Sequence, residues 1–338
     1  MTIYDLTFNQ LQAEIVYQGF SKFRAVQIWQ WLYQHQVTSF DAMTNIGQDV
    51  LDYLKKTFTL MPLSLVLDSK SLDGTHKLLY ALNDGHLIET VLMDHNYGKS
   101  ICVTTQVGCN MGCGFCASGI IKKKRDLTAG EIVAQIVLTS QLLGVKIDSI
   151  VVMGIGEPFD NFKNLVDFLH IVNHQPGLAI GARHITVSTC GIVPKILEFA
   201  NIGLQVNLAL SLHAPNDEIR SSLMNINKRF GVSAVMDAIK EYIRITNRRV
   251  TIEYILIKDV NDQEKDAVEL AQLLKGLNVY VNLIPYNPVK EVVYERTLKP
   301  QQLQFYDVLK KHKIQVTLRK EQGSDINAAC GQLRSANL

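Results

Sequence analysis

The chain has little excess of charge of either sign. Its 338 residues hold 34 lysines and arginines against 32 aspartates and glutamates, a formal net charge of +2. That excludes an acidic tail and a globally basic surface, so a nucleic-acid partner has to be met by local basic patches. No apolar run reaches the roughly 18 residues that a membrane-crossing helix needs. The opening stretch, MTIYDLTFNQ, lacks a basic region followed by an apolar one, so no signal peptide is evident. Cysteine is sparse. Four of the six (Cys102, Cys109, Cys113, Cys116) fall within 15 positions, and Cys190 and Cys330 lie far away. A secreted disulfide framework is denser and sits in a shorter chain. Internal repeats and low-complexity segments are also missing. These absences describe a cytoplasmic protein with reduced thiols and no membrane partner. With 47% hydrophobic residues, the length suits one barrel-sized domain plus a small extra one.

The strongest positive signal is Cys109, Cys113 and Cys116 in the run GCNMGCGFC, spaced C-x3-C-x2-C. Three thiolates are one ligand short of a closed zinc site. They suit a four-iron cluster whose fourth iron stays open to substrate or cofactor. The alternative is a zinc site completed from a distance, by His184 or His213. The glycines and Phe115 of the loop favour wrapping the larger inorganic core.

Residues 1–62 read as a helical accessory module, with Phe23, Val26, Ile28, Trp29, Leu32 and Tyr33 near helical period. Residues 63–99 read as a hairpin and linker, with an Asp73-Gly74 turn between apolar segments. From about Ser100 to residue 338, strands and helices alternate. Strands are expected at Ile101–Val107, Ser149–Gly154, His184–Thr189, Gln205–Leu212, Val250–Ile257 and Val279–Ile284, with a further one at Ile314–Arg319. Several are near-continuous Val/Ile/Leu runs, as in parallel strands buried on both faces. Thr128 and Glu131 form a capping box, and Gly144 closes the helix after it. The expected fold class is α/β: a partial parallel βα barrel of about six βα units with a small N-terminal helical domain.

Chemistry in such barrels sits at the carboxyl ends of the strands. There the sequence places the cysteine loop, Gly154-Ile-Gly156-Glu157, Ser188-Thr-Cys190-Gly191, Ser211-Leu212-His213 and Pro285-Tyr-Asn287-Pro. The glycine motif lacks the third glycine of a dinucleotide fingerprint, because Phe159 occupies that position.

The cysteine loop resembles that of the radical S-adenosylmethionine (SAM) superfamily. Val107-Gly-Cys109, Met153-Gly-Ile-Gly-Glu157-Pro, Ser211-Leu-His213-Ala-Pro, Asn282-Leu-Ile-Pro-Tyr-Asn287-Pro and Asp325-Ile-Asn-Ala-Ala-Cys330-Gly-Gln-Leu resemble the RlmN family, over essentially the whole chain. That resemblance implies methylation of adenine carbon-2 in 23S rRNA at the peptidyl transferase centre, and in tRNA at the adenine 3′ of the anticodon. It implies a [4Fe-4S] cluster on Cys109, Cys113 and Cys116 and two SAM molecules per turnover. It makes Cys330 the methyl carrier, Cys102 the resolving thiol and Glu89 the base. It assigns SAM contacts to Gly156, Glu157, Ser188, Ser211, Leu212, His213 and Asn287. A flavodoxin-type electron donor and a monomeric enzyme also follow from it. One departure is Asn225, where the family usually has proline.

Without the resemblance, Glu89 reads as a solvated hairpin charge, Cys330 as a small buried residue, and the serines and Asn287 as turn and capping residues. Cys190 reads as structural. The run Lys122 to Arg125 and the N-terminal Lys22 and Arg24 are candidate RNA contacts. Three rival functions stay open: carbon-8 methylation of the same rRNA adenine, a zinc-stapled RNA-binding protein without catalysis, and a glycyl-radical activating enzyme.

Overall fold

The structure is a computed structural model that describes residues 1–289 and 292–333; the end of the expected barrel segment, 334–338, lies outside the described residues. The N-terminal helices are α1 (Phe8–Tyr17), α2 (Phe23–Tyr33) and α3 (Gln48–Thr57). Ile28, Trp29, Leu32 and Tyr33 form the buried stripe of α2, whereas Phe23, at its first turn, is exposed. Four strands follow: β1 (Leu63–Lys70), β2 (His76–Leu82), β3 (Leu87–His95) and β4 (Gly98–Cys102). Asp73 and Gly74 lie in the β1–β2 turn, with Gly74 at φ +88°. Glycine adopts that conformation without strain.

The expected strand Ile101–Val107 is divided. After β4 the chain leaves the main sheet, and β5 (Gln106–Val107) pairs with β6 (Arg125–Asp126) in a separate two-stranded ribbon. The buried Gln135 side chain causes the departure. Its Oε1 accepts from Thr104 N–H (2.8 Å) and its Nε2 donates to Thr104 O (2.9 Å), standing in for a strand partner.

The remaining elements are α4 (Ala129–Leu143), β7 (Ser149–Val152), α5 (Phe162–Asn173), β8 (Ile185–Thr189), α6 (Val193–Phe199), β9 (Asn207–Ser211), α7 (Asp217–Leu223), α8 (Val232–Thr246), β10 (Val250–Leu256), α9 (Glu264–Leu274), β11 (Val279–Pro285), α10 (Lys299–Lys311) and β12 (Val316–Leu318). One ten-stranded sheet runs β1-β2-β3-β4-β7-β8-β9-β10-β11-β12. Pairing is parallel from β4 through β12 and antiparallel from β1 through β4. The segment read as hairpin and linker is therefore an antiparallel continuation of the barrel wall. Register Val91↔Cys102 welds it to the strand that leads to the cysteine loop.

Helix α4 joins the two parts of the molecule. Thr128 Oγ1 accepts from Glu131 N–H (3.2 Å) and the Glu131 carboxylate from Thr128 N–H (2.9 Å). Gly144, at φ +62°, ends the helix. Ile132, Val133, Ile136 and Val137 are fully buried, and each such side chain stabilises by roughly 1.5–3 kcal/mol. Asp5 of the N-terminal segment accepts from Gly130 N–H (2.9 Å). A Cβ at Gly130 would collide with the Thr2 side chain and the Asp5 backbone, so glycine is required for this close approach. Among the described residues no helix is long and apolar enough to cross a membrane.

Candidate active site

Two chambers lie inside the barrel, and one wall is common to both. The first is lined by Cys109, Cys113 and Cys116, by Gly156 and Glu157, and by Ser188, Ser211 and His213. The second is lined by Cys102, Asn287, Met93, Tyr97 and Tyr280, among others. Cys330, Glu253 and Arg319 line both. The sequence-expected residues thus gather in two adjoining spaces. Leu212 and Glu89 are not among the lining residues. Leu212 is fully buried and presents its carbonyl to Arg220. Glu89 is buried on β3, two residues along the strand from Val91, which lines the second chamber. Its carboxylate lies 3.5 Å from the Lys77 ammonium, so it is not the solvated hairpin charge that the bare sequence suggests.

The cysteine loop is tied at several points. Cys109 N–H donates to Ile121 O (2.9 Å), Gly114 N–H to Leu223 O (2.9 Å) and Ala117 N–H to Gly331 O (2.8 Å). Gly108 is at φ +76°, and a Cβ there would stand 2.5 Å from Lys122 O. Asn225, the departure from the family pattern, donates from Nδ2 to Gly112 O (3.2 Å); proline has no such donor. Phe115 meets the His213 ring edge-on at 5.0 Å.

The donor set fits an iron–sulfur cluster. Burial pushes the Cys109 thiol up to about 12 and raises Cys113 well above the ordinary thiol value, with repulsion from Cys116 and Cys109 adding to Cys113. Thiolates crowded in this way require a strongly positive centre to hold them deprotonated. Among the described residues no three His, Cys, Asp or Glu side chains converge on a point for a single metal ion. The three cysteines line one chamber together, and three protein thiolates suit a four-iron cluster with one iron left open.

The rim residues are ordered by hydrogen bonds. Glu157 is buried, and its carboxylate accepts from Phe159 N–H (3.1 Å) and Cys190 N–H (2.8 Å). Burial raises its pKa, against those bonds. The Cys190 and Thr189 side chains donate to it as well. Gly156, at φ +108°, passes so close to Gln106 that a Cβ would stand 2.6 Å from that side chain. The Ser188 and Ser211 hydroxyls are 3.2 Å apart. His213 Nδ1 accepts from Ile255 N–H (3.1 Å). Burial, with Arg220 nearby, pushes its pKa down to about 3. The ring is therefore neutral, with its proton on Nε2, and that nitrogen is a donor.

Two arginines were missed by sequence reasoning. Arg220 is fully buried and donates to Leu212 O, Cys190 O, Phe230 O and Asn227 Oδ1. Arg319 stands in the wall between the chambers, and its positive charge acts on both Cys330 and Cys102. Burial pushes the Cys102 thiol up to about 12, Cys330 adds to the rise, and Arg319 opposes it. Neither arginine lies in a motif. Only the expected end of the last strand at Arg319 pointed to the rim.

The segment carrying Cys330 bridges the sheet from β12 to the hairpin. Gly323 N–H donates to Asp73 Oδ2 (2.8 Å), Ser71 Oγ to Asp325 Oδ1 (2.5 Å) and Leu72 N–H to Asp325 Oδ2 (3.2 Å). Beyond the clasp, Asn287 Nδ2 donates to Cys330 O (3.2 Å) and Ser118 Oγ to Leu333 O (2.7 Å).

The basic run is half neutralised. Lys123 pairs with Asp126 and Asp160, and Arg125 with Glu131 and Asp84. Lys122 and Lys124 are exposed. Lys22 is exposed too, whereas Arg24 bonds to Gln27 and Asn45 O.

Comparison with known proteins agrees with this geometry. The family model for the radical SAM superfamily matches residues 103–271, and that for the ribosomal RNA large subunit methyltransferase N-terminal domain matches residues 1–60. A protein of Acholeplasma laidlawii named probable dual-specificity RNA methyltransferase RlmN is 64% identical over 338 residues, covering 100% of both chains. A protein of Enterococcus faecalis with the same name is 55% identical, covering 100% of this chain and 97% of its own. The crystal structure of a radical SAM methyltransferase from Sphaerobacter thermophilus superposes with a TM-score of 0.96 at 42% identity, over 99% of this chain and 100% of that one.

Proposed function

The chain belongs to the RlmN family of radical SAM RNA methyltransferases, and on that premise we propose that it methylates carbon-2 of adenine through a methyl group carried on Cys330. The substrates in this reading are the peptidyl-transferase-centre adenine of 23S rRNA and the adenine 3′ of the tRNA anticodon. The observation that carries it is the wall shared by the two chambers: Cys330 borders both the space ringed by the cluster cysteines and the space that holds Cys102.

Cys109, Cys113 and Cys116 would hold the [4Fe-4S] cluster, which when bound supplies the electron that opens SAM to a radical. Glu157 would accept from the methionine ammonium, and His213 Nε2, Ser188 and Ser211 would offer donors to the rest of the cofactor. Cys330 would carry a methyl group supplied by one SAM, and a second SAM would supply the chemistry that activates it for attack on the ring. Asn287 holds the Cys330 carbonyl and so fixes the carrier's backbone. Glu89 removes the carbon-2 proton, and this role requires it to reach the second chamber from its place beside Lys77. Cys102, as thiolate, attacks the Cys330 sulfur. The bond from that sulfur to the transferred carbon breaks, the electron pair stays with the carbon, which takes up a proton to become the methyl group of the departing base, and a Cys102–Cys330 disulfide remains. The reading carries with it a flavodoxin-type electron donor, a single copy of the chain and a cytoplasmic setting.

The test is methylation of protein-free rRNA and tRNA fragments by cluster-loaded protein, with the methyl position mapped by mass spectrometry. A carbon-2 product on both is expected. A carbon-8 product would overturn the assigned position, and product on rRNA alone would remove tRNA from the substrates.

A further inference from the structure

At the mouth of the second chamber stand two aromatic rings that no step above uses. His95 closes β3, and Tyr97 follows it in the turn to β4. Their rings are stacked, with centroids 4.6 Å apart and planes 9° from parallel. Both side chains line the chamber that holds Cys102 and Cys330. Tyr97 is 78% exposed, so the ring is not there to fill a core.

The pair is held in place from below. Gly98, at φ +129°, turns the chain into β4, and a Cβ there would stand 2.5 Å from Asp148 Oδ2. That oxygen instead accepts from Lys99 N–H (2.8 Å). On the other side Gln322 Nε2 reaches Asp94 O (3.3 Å) and His95 Nδ1 (3.4 Å). The turn is thus tied both to the approach to β7 and to the segment that bears the methyl carrier. Burial, with Arg319 nearby, lowers the His95 pKa, so the ring is neutral at pH 7 and stacks as a flat, uncharged surface.

The charge around the platform selects the partner. Lys320 lines the same chamber and is exposed, and among the described residues no carboxylate lies within ion-pair distance of it; Arg319 lines it too, its charge acting on Glu253 and on the two thiols. Glu321, which follows them, is matched by Arg296 at 2.6 Å. A fixed aromatic face beside an unmatched lysine is the combination that binds unstacked nucleotides: bases lie on the ring and phosphates meet the charge. An enzyme acting on an adenine ring atom must also take that base out of its stack, which leaves the neighbouring bases without a partner face.

We propose that His95 and Tyr97 form a stacking platform for the RNA base that flanks the target adenine, replacing the neighbour that base loses when the adenine enters the second chamber. The proposal rests on the adenine-methylating reading above and adds the place where the flanking nucleotide is held.

The experiment uses cluster-loaded protein and an RNA hairpin of substrate sequence with 2-aminopurine in place of the nucleotide on either side of the target. Wild-type protein and Tyr97→Phe are expected to quench the probe at one of the two positions on binding. Tyr97→Ala and Tyr97→Leu are expected to lose that quenching and to bind roughly ten-fold or more weakly. Their melting midpoints stay at the wild-type value, and the slope of log Kd against log salt is unchanged because no phosphate contact is removed. Lys320→Ala is the counterpart: quenching persists and the salt slope falls. Quenching and affinity in Tyr97→Ala equal to wild type would overturn the platform, as would a loss accompanied by a changed salt slope. The two readings fail separately. Absence of methylated RNA from wild-type protein sinks the proposed function, whereas methylated RNA together with an unaffected Tyr97→Ala sinks only the platform.

Discussion

Cys102 shows how far a single side chain is governed by its surroundings. Burial pushes its thiol up to about 12, with Arg319 opposing. On the proposed mechanism only the thiolate attacks, so below that pKa release of the methylated base should quicken about ten-fold per pH unit. Single-turnover release followed at pH 7, 8 and 9 on denaturing gels checks this; a flat profile would mean that another step limits release. Arg319→Met should slow release further, and Cys102→Ala should halt it, leaving RNA covalently joined to Cys330. Free product at the wild-type rate from Cys102→Ala would remove the residue from the mechanism. The sequence made Cys102 and Cys330 visible because cysteine is rare here and their motifs are specific. Arg319 and Arg220 were not legible: an arginine's role depends on which carbonyls and thiols the fold brings to it, and nothing local marks that. Glu89 was legible only through resemblance, because alternation along a strand does not tell a buried carboxylate from a solvated one.

Among the elements, the barrel strands were readable because buried parallel strands carry continuous Val/Ile/Leu runs. The division of Ile101–Val107 was not, since a glutamine side chain on α4 completes the backbone bonding there. Nor was the joining of β1–β3 to the barrel sheet, which rests on register between distant strands. That joining gives the hairpin turn its purpose: Ser71 and Asp73 grip the segment that carries Cys330. Against the upward pull of burial, N–H bonds from Gly323 and Thr75 hold the Asp73 carboxyl at about 2. Its grip is therefore complete above the ordinary carboxyl range and is lost only as pH falls through 2. Asp73→Asn should free the segment at neutral pH, with amides 323–331 exchanging hydrogen several-fold faster while those of β8 and β9 keep the wild-type rate. Unchanged exchange at 323–331 would show that the clasp contributes nothing to holding the carrier.

Taken whole, the molecule is a ten-stranded mixed sheet around two chambers, with a separate β5–β6 ribbon and the N-terminal helices pinned to α4 through Asp5 and Gly130. Anaerobically purified protein should be brown and carry iron, because the three loop cysteines line one chamber with no fourth cysteine in their loop to close a zinc site. Colourless, zinc-loaded and fully folded protein would defeat the catalytic reading. The clasp also has a consequence for the order in which the molecule is built. Ser71 and Asp325 are 254 positions apart, and contacts across such a span form only after the intervening strands have assembled. Seating of the Cys330 segment is therefore a late event in folding. On the proposed reading, a chain in which that last clasp has not closed would have its cysteine loop in place and no carrier opposite it to receive the methyl group.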